Sequence, residues 1–209
     1  MRKALLILCF VLPAIQGLTA RTARDFFVSA PDDVLRLLPQ STRLDMLDYY
    51  EFGSTRPSIN AYGGEARMTS LADASLSFDM DKDVNMQLAI IPAAKSDTLL
   101  AVITTLHMPV ADSDIRFYST DWQPIAKAPF AMPGYAEWLS PGGLADRRDV
   151  QAELLFMPVS ADFDREAKVL RLANKALDYL DKSRADSISP MIVEAKVYDI
   201  DDGKFILRQ

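Results

Sequence analysis

The sequence predicts an α+β protein with a mostly antiparallel sheet. The clearest observation is a two-residue rhythm of apolar side chains between Leu71 and Trp122, which places alternate residues on opposite faces of a strand. A second is Asp202-Gly203 between two further alternating runs, the pattern of a tight hairpin. A third is the pair of helical apolar stripes that precede the strands. Together these predict about seven or eight strands, an amino-terminal helix pair and a short helix in the carboxy-terminal half.

Residues 1–20 have the layout of a secretory signal peptide. Arg2 and Lys3 give a basic start, Ala4 to Ile15 an apolar core, and Gly17 and Ala20 small residues for cleavage. Cys9 lies inside that core with Leu8 before it, which is not the arrangement of a lipid-anchored protein. Residues 21–209 are expected to form one α+β domain, in two halves joined by a proline-rich connection at 123–143. Beyond Cys9 there is no cysteine, so the exported chain is held together without disulfides. The net charge of −6 has no basic run to offset it, so nucleic acid is not an expected partner. No second apolar run is long enough to span a bilayer, and no integral membrane segment is expected after cleavage.

Asp25 to Val28 reads as a lead-in. Ser29 and Asp32 have capping-box spacing, followed by Val34, Leu35 and Leu38, and Pro39 ends that helix. A second helix starts at Ser41 or Thr42, carries Leu44, Leu47 and Tyr50 inward, and stops at Gly53. Arg56 to Thr69 is expected to be a loop. The meander then begins with Ala74, Leu76, Phe78 and Met80, and continues with Val84, Met86, Leu88 and Ile90. Thr98 to Leu106 is apolar on both faces, as a central strand should be. Ile115 to Trp122 alternates again. The short polar links favour antiparallel neighbours.

Between Gln123 and Gly143, prolines and glycines interrupt regular structure while Phe130, Met132, Tyr135 and Trp138 supply anchors. Val150 to Met157 is expected to be a fifth strand. The stretch Asp164 to Leu180 is ambiguous, with composition favouring a helix. Ser183 and Asp186 suggest a capped short helix ending at Pro190, and Val193 to Ile200 and Phe205 to Leu207 complete the hairpin.

Three segments resemble one family: Arg43 to Glu51, Leu71-Ala72-Asp73, and Ala111 to Trp122. This is a domain-of-unknown-function family of exported proteins from Bacteroidales bacteria. The resemblance implies that Lys168 to Asn174 is a strand and places the protein in the periplasm or at the cell surface. It carries no assigned activity and no catalytic residues.

Few chemistries survive inspection. His107 is the single histidine, which leaves no imidazole zinc site; a Ser-His-Asp triad would have to use it, and no Gly-x-Ser-x-Gly elbow presents a nucleophile. The eight glycines do not form a phosphate-cradling loop. Asp79, Asp81 and Asp83 imitate a calcium loop, but Val84 and Ile90 stand where glycine and glutamate are required. No catalytic, metal or cofactor residue is assigned. Candidate binding residues are Tyr135 and Trp138, as aromatics on an irregular loop, and His107, Asp112, Asp114 and Arg116, as a polar group at a strand end. Asp97-Thr98-Leu99 and Asp186-Ser187-Ile188 look like short glycosylation patterns of exported bacterial proteins. The expected function is a non-catalytic binding or assembly module whose partner is an envelope protein or a glycan. The alternative is a carboxylate-dependent hydrolase acting on glycans.

Overall fold

A computed structural model describes residues 20–93, 98–164, 166 and 168–208. The signal-peptide expectation, apart from Ala20, falls on residues outside this set, as does Asp97 of the first glycosylation pattern. The α+β class holds. The strands, however, number ten among the described residues and divide between two antiparallel sheets.

Helix α1 (Ala23–Ser29) precedes α2 (Gln40–Glu51). Six strands follow in meander order: β1 (Ser58–Ile59), β2 (Glu65–Ala72), β3 (Ser75–Asp79), β4 (Val84–Pro92), β5 (Thr98–Leu106) and β6 (Asp112–Ser119). After the connection come α3 (Pro141–Ala145) and α4 (Arg147–Glu153). The second sheet is built from β7 (Val159–Asp164), β8 (Val169–Asn174), β9 (Ala195–Asp201) and β10 (Lys204–Leu207), with α5 (Lys182–Ile188) between β8 and β9.

The result is three layers. One face of the first sheet packs on α1 and α2 through Phe27, Met46, Leu47, Leu76, Phe78 and Leu100. Its other face meets the second sheet through Ile91, Ala101, Ile103 and Phe117 against Phe163, Leu170 and Leu172. Strand β5 lies between β4 and β6 and is covered on both faces, as its continuous apolar run requires. A smaller cluster around Val150, Leu154 and Ile188 holds the helices α4 and α5.

The first helix is not where the Ser29 and Asp32 spacing put it. Thr22 and Asp25 form the capping box instead, and the helix occupies the supposed lead-in. Ala30 precedes Pro31, and its extended backbone (ψ 137°) ends the helix there. Residues 31–38 are turns, yet Leu35 and Leu38 still reach the core. The expected loop at Arg56 to Thr69 contains β1 and the start of β2. Ala66 and Met68 alternate inward there, but a register shift between Met68 and Ser70 breaks the rhythm. Val150 to Met157 is not a strand. Val150 is buried from α4 and Leu154, the cap residue four places on, joins it in the same cluster, so the helical spacing prevails over a period of two. Pro141 starts α3 rather than interrupting it, with the Ser140 hydroxyl accepting from the Gly143 amide.

Helix α2 buries Thr42, Arg43, Met46 and Leu47, and of the three residues expected inward only Leu47 is buried while Leu44 and Tyr50 are exposed; α5 is capped by Asp181 and not by Ser183. Three other features match expectation. Lys168 to Asn174 is strand β8 from Val169 onward. The Asp202-Gly203 turn has φ of 49° and 74°, the two left-handed residues of a tight hairpin, and pairs Asp201 with Lys204. Gly53, at φ 64°, turns the chain out of α2.

What joins the two sheets is polar as well as apolar. Strand β7 is an edge, and three of its amides are taken by side chains of the first sheet. Val159 N–H donates to Asp112 Oδ1 (3.0 Å), Ala161 N–H to Ser113 Oγ (2.9 Å) and Phe163 N–H to Gln87 Oε1 (3.0 Å). An edge strand with open amides invites pairing with another chain, and these three acceptors close it.

Candidate functional site

The six residues singled out from sequence do not converge. Trp138 sits in a 3-10 turn at Tyr135–Trp138 and is 0 % exposed, packed in the apolar layer between the sheets. Lys196 Nζ lies 5.5 Å from its ring centroid. Tyr135 is half-buried and donates its hydroxyl to the Leu154 carbonyl at 2.8 Å. Burial raises its pKa above the ordinary phenol value, with Arg147 opposing. Both aromatics therefore anchor the connection to the body of the protein.

The polar group at the β5–β6 end also separates. Asp112 accepts the β7 amide described above. Asp114 and Arg116 form an exposed ion pair at 2.8 Å, and that hydrogen bond raises the guanidinium pKa. His107 is exposed; its backbone N–H donates to Asp83 O, and its imidazole makes no hydrogen bond with a described residue. We predict that His107→Gln leaves the melting temperature unchanged. Asp112→Ala, which strands the Val159 amide, should cost about 1–3 kcal/mol. Thermal unfolding of the two variants checks both expectations.

The calcium-like aspartates are turn residues. Asp81 Oδ1 accepts from the amides of Asp83 (2.8 Å) and Val84 (2.9 Å), and Asp79 Oδ1 accepts from Asn85. Among the described residues no three histidine, cysteine, aspartate or glutamate side chains are grouped to hold a metal.

The concave site lies elsewhere, at one end of the inter-sheet space. A cavity of about 530 Å³ opens where the carboxy-terminal ends of β4, β7 and β9 come together. Ala74, Ala89, Ile91, Phe163 and Ile200 give it an apolar floor. Asp164, Lys168, Asp201 and Asp202 border it. A second hollow of about 300 Å³ adjoins it, sharing Ala89, Phe163 and Asp164, and runs over Ser70, Ser75 and Ser77. The space exists because β2 and β3 carry serine and alanine on this face and the second sheet covers the strands beyond them.

The border is held in place by backbone geometry. A Cβ at Gly203 would lie 2.6 Å from that of Ala93, so the β9–β10 turn is seated directly on the end of β4. That contact fixes Asp201 and Asp202 beside the floor. Lys168, at φ 50°, closes the β7–β8 turn in a left-handed conformation uncommon for a side-chain-bearing residue, and its carbonyl accepts the Ile200 amide at 2.9 Å. Asp164 is engaged by Arg171 at 3.0 Å. Sequence reasoning missed this site because its lining comes from three strands of two sheets and the turns beside them. The one signal available was the Asp201-Asp202-Gly203 turn, which was visible as a hairpin but not as a border.

The fold and cleft define a class: a two-sheet α+β protein, faced by helices on one side, with an apolar-floored cavity at the strand ends. The chain belongs to the family described as Protein of unknown function (DUF3256), which matches residues 15–205. A solved structure from Porphyromonas gingivalis W83, described as a domain of an uncharacterized protein, has the same fold. It superposes with a TM-score of 0.72 at 20% identity, covering 91% of this chain and 99% of that one. No curated protein matches the chain. No helix among the described residues is long and apolar enough to cross a membrane.

Proposed function

We propose that residues 21–209 act as one exported, non-catalytic binding module of the periplasm or cell surface, released from residues 1–20 at export, and that the inter-sheet cleft receives the ligand. The observation that carries this is the cavity itself. Its volume, apolar floor and small number of placed charged groups are those of ligand sites in general. The export reading rests on the leader-like composition of residues 1–20 and on the family resemblance of the later segments. The burial of Trp138 and the hydroxyl bond of Tyr135 move the expected contact surface away from the connection and toward the cleft.

Filling the mouth tests it. Ala74 precedes β3, and its half-buried side chain lines the cavity without belonging to the fully buried core. Ala74→Trp should keep the far-ultraviolet circular dichroism spectrum and abolish binding. Native mass spectrometry after incubation with an envelope extract provides the readout. Wild type should carry a bound species that the variant lacks; equal loading of both would reject the cleft.

A specific observation keeps the hydrolase in view: Asp164, Asp201 and Asp202 border one cavity. Paired carboxylates in a cleft can hydrolyse glycosides. Release of reducing sugar from envelope glycans by wild type, lost in Asp164→Asn and in Asp201→Asn, would replace the binding function with that one.

A further inference from the structure

We infer that the cleft takes a small amphiphile with an apolar body and a cationic head, an ammonium or guanidinium group on an alkyl or aryl frame. The inference rests on the cleft being the binding site and names the ligand's chemical class.

The floor sets the body. Ala89, Ile91, Phe163 and Ile200 offer no polar side-chain atom, so a ligand seated there gains by removing apolar surface from water. A polar or heavily hydroxylated body would be desolvated there without partners.

The border sets the head. Asp164 is matched by Arg171. That leaves Lys168 against Asp201 and Asp202, and neither of these two carboxylates forms an ion pair with a described residue. Two carboxylates against one ammonium make the described border acidic. The chain as a whole carries −6, so the long-range field also favours an approaching cation and repels an anion. Position matters as much as sign. The turn carrying Asp201 and Asp202 is pinned on Ala93 by the close approach at Gly203, so these carboxylates need little ordering when a ligand arrives.

The test compares three probes that share an eight-carbon chain: octylammonium, octanol and octanoate. Each is titrated below its micelle concentration into the purified protein at low ionic strength. Binding is followed by amide chemical shifts. All three should move the amides of Ala89, Ile91, Phe163 and Ile200. Octylammonium should bind about tenfold more tightly than octanoate, the preference expected of two exposed carboxylates that attract one head and repel the other. Raising the salt should erase the preference, because exposed charges are screened. The double substitution Asp201→Asn with Asp202→Asn should erase it at low salt while keeping the hairpin, since Asn-Gly is as favourable a turn as Asp-Gly.

If octanoate binds as tightly as octylammonium, or the preference survives the double substitution, the cationic head is wrong while the cleft stands as the site. If octanol and both ions leave the cleft amides unmoved, the cleft itself is rejected.

Discussion

Arg43→Ala should destabilise the protein by about 3–5 kcal/mol, the cost of losing a buried side chain and its charge-assisted hydrogen bonds to backbone carbonyls. Arg43 is 2 % exposed although it lies on a helix that is otherwise polar on its outer side. Its Nη1 donates to the carbonyls of Phe27 (2.8 Å), Val28 (3.1 Å) and Ala30 (2.7 Å). These carbonyls belong to the last turn of α1 and its cap, where helix bonding runs out; of the three, only that of Phe27 also accepts a cap amide. A cation at a helix carboxy terminus also meets the negative end of the helix dipole. Burial lowers the guanidinium pKa from its ordinary value, and Asp32, 3.4 Å away, opposes that shift. Alanine would leave the Ala30 carbonyl without a donor among the described residues, and the other two with only longer bonds, Phe27 O with the Ala30 amide (3.4 Å) and Val28 O with Gln40 Nε2 (3.3 Å). For a chain of this length the melting temperature should fall by roughly 6–20 °C. Arg43→Lys should lose less, because an ammonium reaches the same carbonyls. Thermal unfolding followed by circular dichroism measures both. A fall of the alanine variant by less than about 2 °C would show that water replaces the guanidinium at no cost.

Trp138→Ala should cost about as much, near 3–5 kcal/mol, through lost burial and the cavity left behind. The indole is enclosed with Phe163, Leu170 and Leu172, and its backbone carbonyl accepts the Val193 amide at 2.8 Å. Its Nε1–H has no acceptor among the described residues. Trp138→Phe should therefore be the milder change, since it keeps an aromatic ring and removes the unsatisfied donor. Denaturant midpoints of the two variants give the comparison. Alanine at 138 would abolish binding by unfolding the second sheet, so loss of a partner in that variant would not mark a contact residue. Tyr135→Phe, which removes only the hydroxyl bonded to Leu154, is the cleaner probe of the connection.

Much of the fold could be read from the chain. The four strands from Ser75 to Ser119 are visible because each has one face that must be apolar along a period of two. The hairpin at Asp202-Gly203 is visible because two left-handed residues are needed in a row and few residues accept that. Signals failed where two rules competed locally. Thr22 with Asp25 and Ser29 with Asp32 both have capping spacing, and only Pro31 after Ala30 decides between them. In Val150 to Leu154 the apolar positions fit both a strand and a helix, and the packing of both residues against Ile188 settles the choice.

The amino-acid order by itself determined the class of fold, the position of most strands and the lack of a zinc or phosphate-loop kit, because each depends on neighbours a few residues apart. Only the tertiary structure decided that the strands form two sheets, that Asp112 closes an edge strand 47 residues away, and that Trp138 is core. It alone produced the cleft, since the floor and border residues between Ala74 and Asp202 meet only when two sheets stop short of covering one another. A cavity is space between elements, and no local run of side chains encodes it.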